Sequence, residues 1–190
     1  MKNLKSIKTI KLLALFFVSS LALVSCSSDD DGDHDDHDHE EELITTVTYT
    51  LSDGTNVVTL TFQDLDGEGG EDGTTTVSGP LAASTTYTGT LQLLNETESP
   101  ADNITLEVEE EGDEHEFFFS STINDITITK DDMDVNNNPI GIESTLTTGA
   151  AGTGSLTIIL KHEPTKPNDG TAAAAGGSTD VEVTFPITVQ

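Results

Sequence analysis

Arginine and tryptophan are missing from this chain, and cysteine occurs once, at position 26. Without arginine there is no planar guanidinium fork to grip a phosphate or carboxylate from two sides. A lone thiol leaves no partner for a disulfide within the chain. Positive charge is scarce as well. Of seven lysines, four (Lys2, Lys5, Lys8 and Lys11) precede residue 12, and the first acid is Asp29, so the chain beyond residue 25 sets three lysines against all 35 acids. Such a surface repels nucleic acid phosphates and anionic lipid headgroups, which excludes both as ligands, and it attracts cations. No apolar run is long. The run from Leu12 to Val24 falls short of the roughly 20 residues that span a bilayer. Hydrophobic residues make up 34% and aromatics 5%, enough for one domain with a light core plus appendages.

What is present begins with an address. Residues 1–25 read as a secretory signal: a lysine-rich start, an apolar stretch, then small residues. The end of that signal, Leu23-Val-Ser-Cys26, resembles the bacterial lipobox. The resemblance implies cleavage before Cys26 and attachment of a diacylglyceryl group and an acyl chain of the palmitate type. Each buried CH₂ contributes roughly 0.8 kcal/mol, so several chains anchor firmly where one does not. Ser27, in place of an Asp, resembles lipoproteins sent on to the outer membrane. Ser28-Asp-Asp-Asp31 resembles the export signal of Bacteroidota surface lipoproteins and implies exposure on the cell surface.

Residues 26–42 then read as the lipidated cysteine followed by a solvated, disordered tether, since none after Cys26 is apolar. From residue 43 to 190 the pattern changes to threonine-rich segments with period-two alternation. Val47–Leu51, Val58–Phe62, Ile104–Val108, Leu156–Leu160 and Val181–Val189 each place apolar residues at every second position. Threonine fills many alternate places, with a branched Cβ suited to strands and a hydroxyl suited to water. Gly, Asn, Asp and Pro clusters separate the runs, and no segment carries a convincing helical period. The expected fold is all-β: an antiparallel, Ig-like β-sandwich of eight or nine strands. Pro186 predicts an edge strand or bulge in the last segment. The slipped phase in Ile123-Asn-Asp-Ile-Thr-Ile128 predicts another bulge. Gly149–Gly154 and Ala172–Gly177 read as loose loops, and Tyr49 and Tyr87 as core.

Three groups of residues could carry chemistry. The first is His34, His37 and His39, interleaved with Asp33, Asp35, Asp36, Asp38 and Glu40 in the tether. Imidazole with carboxylates suits Zn or Cu, although a flexible run loses chain entropy on wrapping an ion. Composition drift in an export signal and spacer would leave the same acids. The second is His115, set in Glu109–Glu116 before Phe117-Phe-Phe119. This reads as a hairpin tip around Glu111-Gly-Asp113 and a charged edge that blocks sheet pairing, or else as a further ligand at the sandwich rim. The third is calcium-like: Asp64, Asp66 and Glu68 around glycines, and Asp132, Asp134, Asn136 and Glu143, which partly match an oxygen-ligand loop. Asn137 stands where such a loop needs glycine, and Pro139 follows. His162 closes its strand with inward parity and reads first as a satisfied strand-end histidine. There is no nucleophile elbow, no phosphate-cradling loop and no paired catalytic carboxylates, so catalysis is not expected. A pocket gathering His115, His162 and a carboxylate would reopen that question.

Taken whole, the chain resembles a group of Bacteroidota surface lipoproteins. The lipobox, the His/Asp tether running into Glu40-Glu-Glu-Leu-Ile44, Phe62-Gln-Asp-Leu-Asp-Gly67 and Leu94-Asn-Glu-Thr-Glu-Ser-Pro100 carry the likeness over nearly the full length. It implies no activity. Such proteins are often called type 1 periplasmic-binding-fold proteins, a larger α/β structure that the alternating strands do not support. Two functions are expected. One is a lipid-anchored surface protein that captures Zn or Cu through the tether, for an outer-membrane uptake receptor. The other is a structural or protein-interaction sandwich for which the tether is only an export signal and spacer.

Overall fold

Alternating threonine and aliphatic residues become strands throughout the computed structural model, which describes residues 42–66 and 72–190. The chain divides into two compact units, residues 1–39 and 40–190. Only the second is described, so Cys26, the tether histidines His34, His37 and His39, and Asp33, Asp35, Asp36, Asp38 and Glu40 lie outside the described residues, as does Glu68.

The strands are β1 (Thr46–Ser52), β2 (Val57–Gln63), β3 (Thr74–Val77), β4 (Thr86–Leu94), β5 (His115–Ser121), β6 (Thr127–Lys130), β7 (Glu143–Thr147), β8 (Gly152–His162) and β9 (Ser178–Val189). They form two antiparallel sheets, one in the order β3-β2-β1-β4-β7-β6 and one in the order β5-β8-β9. The protein is therefore an all-β sandwich. Register follows parity. Tyr49 pairs with Leu60 on one side and Leu91 on the other, and all three are buried, while the intervening threonines line the outer face. Leu156, Ile158 and Leu160 of β8 face the same core as Phe185 and Phe117. The Tyr49 and Phe119 rings, one from each sheet, lie 5.7 Å apart.

Pro186 sits in an edge strand, as its missing N–H requires. The end of that strand is stitched to the link between β3 and β4: Leu81 N–H donates to Thr188, and Gln190 N–H to Leu81. Four local expectations are corrected. Ile104–Val108 is not a strand but part of helix α1 (Ile104–Glu110). Period two would bury Leu106 with its neighbours; instead Ile104 and Val108 are buried four apart and Leu106 is 60% exposed. The turn at Glu111–Asp113 accordingly joins a helix to a strand and is no hairpin tip. The slipped phase at Ile123–Ile128 is not a bulge: the chain leaves β5 in one sheet, turns at Asp125 with φ of 67°, and enters β6 in the other. Finally, Gly152–Gly154 belong to β8, and Ala172–Ala175 form one helical turn, α2, capped by the Thr171 hydroxyl.

Tyr49 is fully buried and its hydroxyl lies 2.8 Å from Ser144 Oγ. Burial, against the weaker pull of that hydrogen bond, pushes its phenol up to about 12. An acid raised in the folded state stabilises the fold fully below its unfolded value near 10, and that contribution is lost as pH climbs towards 12. Stability should therefore fall by roughly 2–3 kcal/mol between pH 10 and 12 on this account. Denaturant melts of Tyr49→Phe across that range should have a correspondingly shallower decline; an unchanged slope would remove Tyr49 as the cause.

Candidate metal centre

At one end of the three-stranded sheet the register brings two histidines face to face. His115 opens β5 and His162 closes β8, and the two residues are direct partners in the antiparallel ladder. Both have inward parity, His115 with Phe117 and Phe119, His162 with Leu160 and Ile158. Their rings stack with centroids 4.8 Å apart. His115 is completely buried and His162 is 6% exposed.

Two carboxylates complete the group. Strict alternation along β9 would send Asp180 outward with Glu182. The ladder between β8 and β9 shifts there: Leu160 pairs with Val181 and Lys161 with Thr179, so Asp180 is the extra residue of a bulge. A bulge re-aims a side chain, and the Asp180 carboxylate is fully buried, 3.9 Å from His115 Nε2. Glu42, on the segment leading into β1, reaches the same place. Its Oε1 lies 3.1 Å from His115 Nε2, and its side chain is 9% exposed. Its Oε2 is buried and accepts no hydrogen bond from the described residues. On the far edge of the ring, His115 Nδ1 meets the Glu111 carbonyl at 3.2 Å. Nδ1–H donates there, and the backbone of His115 is braced by Lys166, whose Nζ donates to the His115 and Gly112 carbonyls, both at 2.6 Å.

The electrostatics follow from this packing. Burial alone would lower the His115 pKa. The hydrogen bond and charge of Glu42, then the Glu111 carbonyl and the Asp180 charge, outweigh it and hold His115 above its ordinary value. Burial likewise works to raise Glu42, but pairing with His115 leaves its pKa below the usual carboxylate value. One ligand atom from each of Glu42, His115, His162 and Asp180 lies within 4.8 Å of the others. These four residues could hold a metal ion. Tetrahedral zinc with bonds of about 2.0–2.2 Å spaces its ligands about 3.3–3.6 Å apart, so the group would contract by about 1 Å at its widest. A second group, Glu114, His162 and Glu163, satisfies the same distance and shares His162.

The other sequence candidates fare differently. The His115–Glu116 stretch is not a charged edge: Glu116 is 2% exposed and takes hydrogen bonds from Lys130 and Asn168, with Lys130 also 4.3 Å above the Phe118 ring. In the calcium-like loop, Asp132 accepts from the Gly141 and Ile142 amides at 2.7 and 2.9 Å. Asp134 accepts from the Asn136 and Asn138 amides, both at 2.8 Å. Asn137 takes the glycine-like conformation, with φ of 64°, and Glu143 is exposed at the start of β7. These carboxylates turn inward to backbone donors and do not converge on an ion. Asp64 follows β2, where its N–H donates to the Thr45 carbonyl. A cavity of about 300 Å³ lies between Lys130, Lys166, Met133 and Asn168, and neither histidine lines it.

Parity marks His162 in the sequence, whereas the acids around His115 point first to a charged edge and only second to a ligand at the rim. Asp180 was missed because a bulge reverses parity, and Glu42 because its neighbours Glu40 and Glu41 gave it the composition of the tether. Glu42 falls within the second compact unit, which begins at residue 40, ahead of the expected boundary at 43. Compared with protein-family models, curated proteins and solved structures, the chain matches none.

If Asp132 serves the backbone rather than calcium, Asp132→Ala should destabilise the fold by about 1–3 kcal/mol through two unsatisfied amides. Millimolar Ca²⁺ should leave the melting temperature of the wild-type protein unmoved. A calcium-dependent rise lost in Asp132→Ala would reverse the assignment.

Proposed function

We propose that this protein is a lipid-anchored cell-surface metal-binding protein whose folded domain holds Zn(II) or Cu(II) at Glu42, His115, His162 and Asp180. The observation that carries the reading is the convergence of two imidazoles and two carboxylates in a buried space, one carboxylate oxygen having no hydrogen bond from the described residues. Imidazole and carboxylate without sulfur suit Zn(II) and Cu(II) better than Cu(I). A ring nitrogen fixed by a backbone carbonyl, as His115 Nδ1 is by Glu111, is the usual outer partner of a metal-bound histidine. Four protein donors in a buried site favour holding an ion over catalysis, which keeps a position open for substrate.

The sequence supplies the place. Cys26 is the lipid attachment, and Ser28-Asp-Asp-Asp31 the export signal to the outer face of the outer membrane. In the tether, His34, His37 and His39 form a looser collecting site that raises the local concentration of ions before they reach the domain or an uptake receptor.

Titration calorimetry with Zn²⁺ and Cu²⁺ tests the reading on the full chain. A His34→Ala/His37→Ala/His39→Ala variant should retain one ion per chain with a dissociation constant on the order of micromolar or tighter. Asp180→Asn, which preserves volume, should weaken that event by at least about ten-fold. Loss of all binding in the tether variant would leave the buried group as an ion-pair cluster and put the ion in the tether.

A further inference from the structure

A buried four-ligand site poses a problem of access. His115 and the Asp180 carboxylate have no exposed surface, and Glu42 and His162 have little. A metal site needs a path by which the ion arrives. Among the described residues, only one of its ligands also belongs to a more exposed group: His162, with Glu114 and Glu163.

We infer that Glu114, His162 and Glu163 form a second divalent-cation site, an exposed loading site through which the ion passes to the buried one by ligand exchange at His162. The inference rests on the buried group being the metal site proposed above. Glu114 is 45% exposed at its side chain, and its Oε2 lies 3.8 Å from His162 Nε2. Glu163 follows His162 directly and is exposed. The backbone brings the two residues together, since Glu163 N–H donates to the Glu114 carbonyl at 2.6 Å. Gly177 presses against this turn: a Cβ there would stand 2.1 Å from the His162 carbonyl oxygen. The backbone thus keeps Glu114, His162 and Glu163 adjacent. On the inner side Glu42, its side chain nine-tenths buried, groups with the same histidine pair, and its Oε2 takes no hydrogen bond from the described residues. An ion leaving the two outer carboxylates for the inner two need never lose contact with His162.

Stopped-flow mixing with Co²⁺, followed by its d–d absorption, tests this on the full chain with the three tether histidines replaced by alanine. In Glu114→Gln/Glu163→Gln, a pair of exposed changes, uptake and chelator-driven release should both slow by about ten-fold, because a path serves both directions. The dissociation constant should stay within about two-fold. Glu98→Gln/Glu143→Gln, which removes the same charge at exposed positions elsewhere, should change neither rate. Unchanged rates in the first pair would overturn the inference. So would slower uptake with normal release, the mark of general electrostatic attraction, or a large loss of affinity, the mark of a single merged site. Absence of any cobalt band before the carboxylates are changed would overturn the underlying metal reading, and is distinct from all of these.

Discussion

The scarcity of positive charge governs how this domain is built. Past residue 25 only Lys130, Lys161 and Lys166 are available to meet 35 acids, so a carboxylate can be buried only where it is paired individually. Glu116 is met by Lys130, Asp134 by Lys166 and two asparagine amides, and Asp132 by two backbone N–H groups. In one buried cluster, Glu42 and Asp180, histidine meets the carboxylates. In a low-dielectric interior two carboxylates beside two imidazoles are stable only with a proton or a metal ion among them. The site is the place where the acidity of the whole chain is expressed inside the fold.

The sandwich was legible in the sequence because threonine and aliphatic residues alternate with little interruption, and turn residues break the runs cleanly. Parity placed His162 inward and Tyr49 and Tyr87 in the core, while the acids around His115 marked it as part of a charged edge. It failed where the physics behind it changes. Ile104, Leu106 and Val108 fit a strand, yet residues four apart also share a helix face, and the exposure of Leu106 decides between them. Asp180 was hidden by the β8–β9 bulge, a long-range feature of pairing that no local pattern announces. Glu42 was hidden by its neighbours, since composition cannot separate the last residue of a solvated run from the first residue of a domain.

The two histidine groups differ in kind. The tether histidines are known from the sequence alone and lie outside the described residues, whereas His115 and His162 are set by strand register, an orienting carbonyl and a bulge. A flexible run loses entropy on binding; a register-fixed pair has already lost it during folding. This difference is why the folded group carries the functional reading and the tether is given a collecting part.

Glu42 is where the polypeptide enters the described domain, ahead of the first strand of the larger sheet, while its three companions belong to the smaller sheet. Any pull transmitted along the chain from the residues before Glu42 meets the sandwich at this residue. Without an ion, the resistance at that point is one ion pair followed by the hydrogen bonds of β1. With an ion, coordination bonds would tie the point of attachment to β5, β8 and β9 together, spreading tension over both sheets. The mechanical strength of the domain would then follow the metal content of the medium.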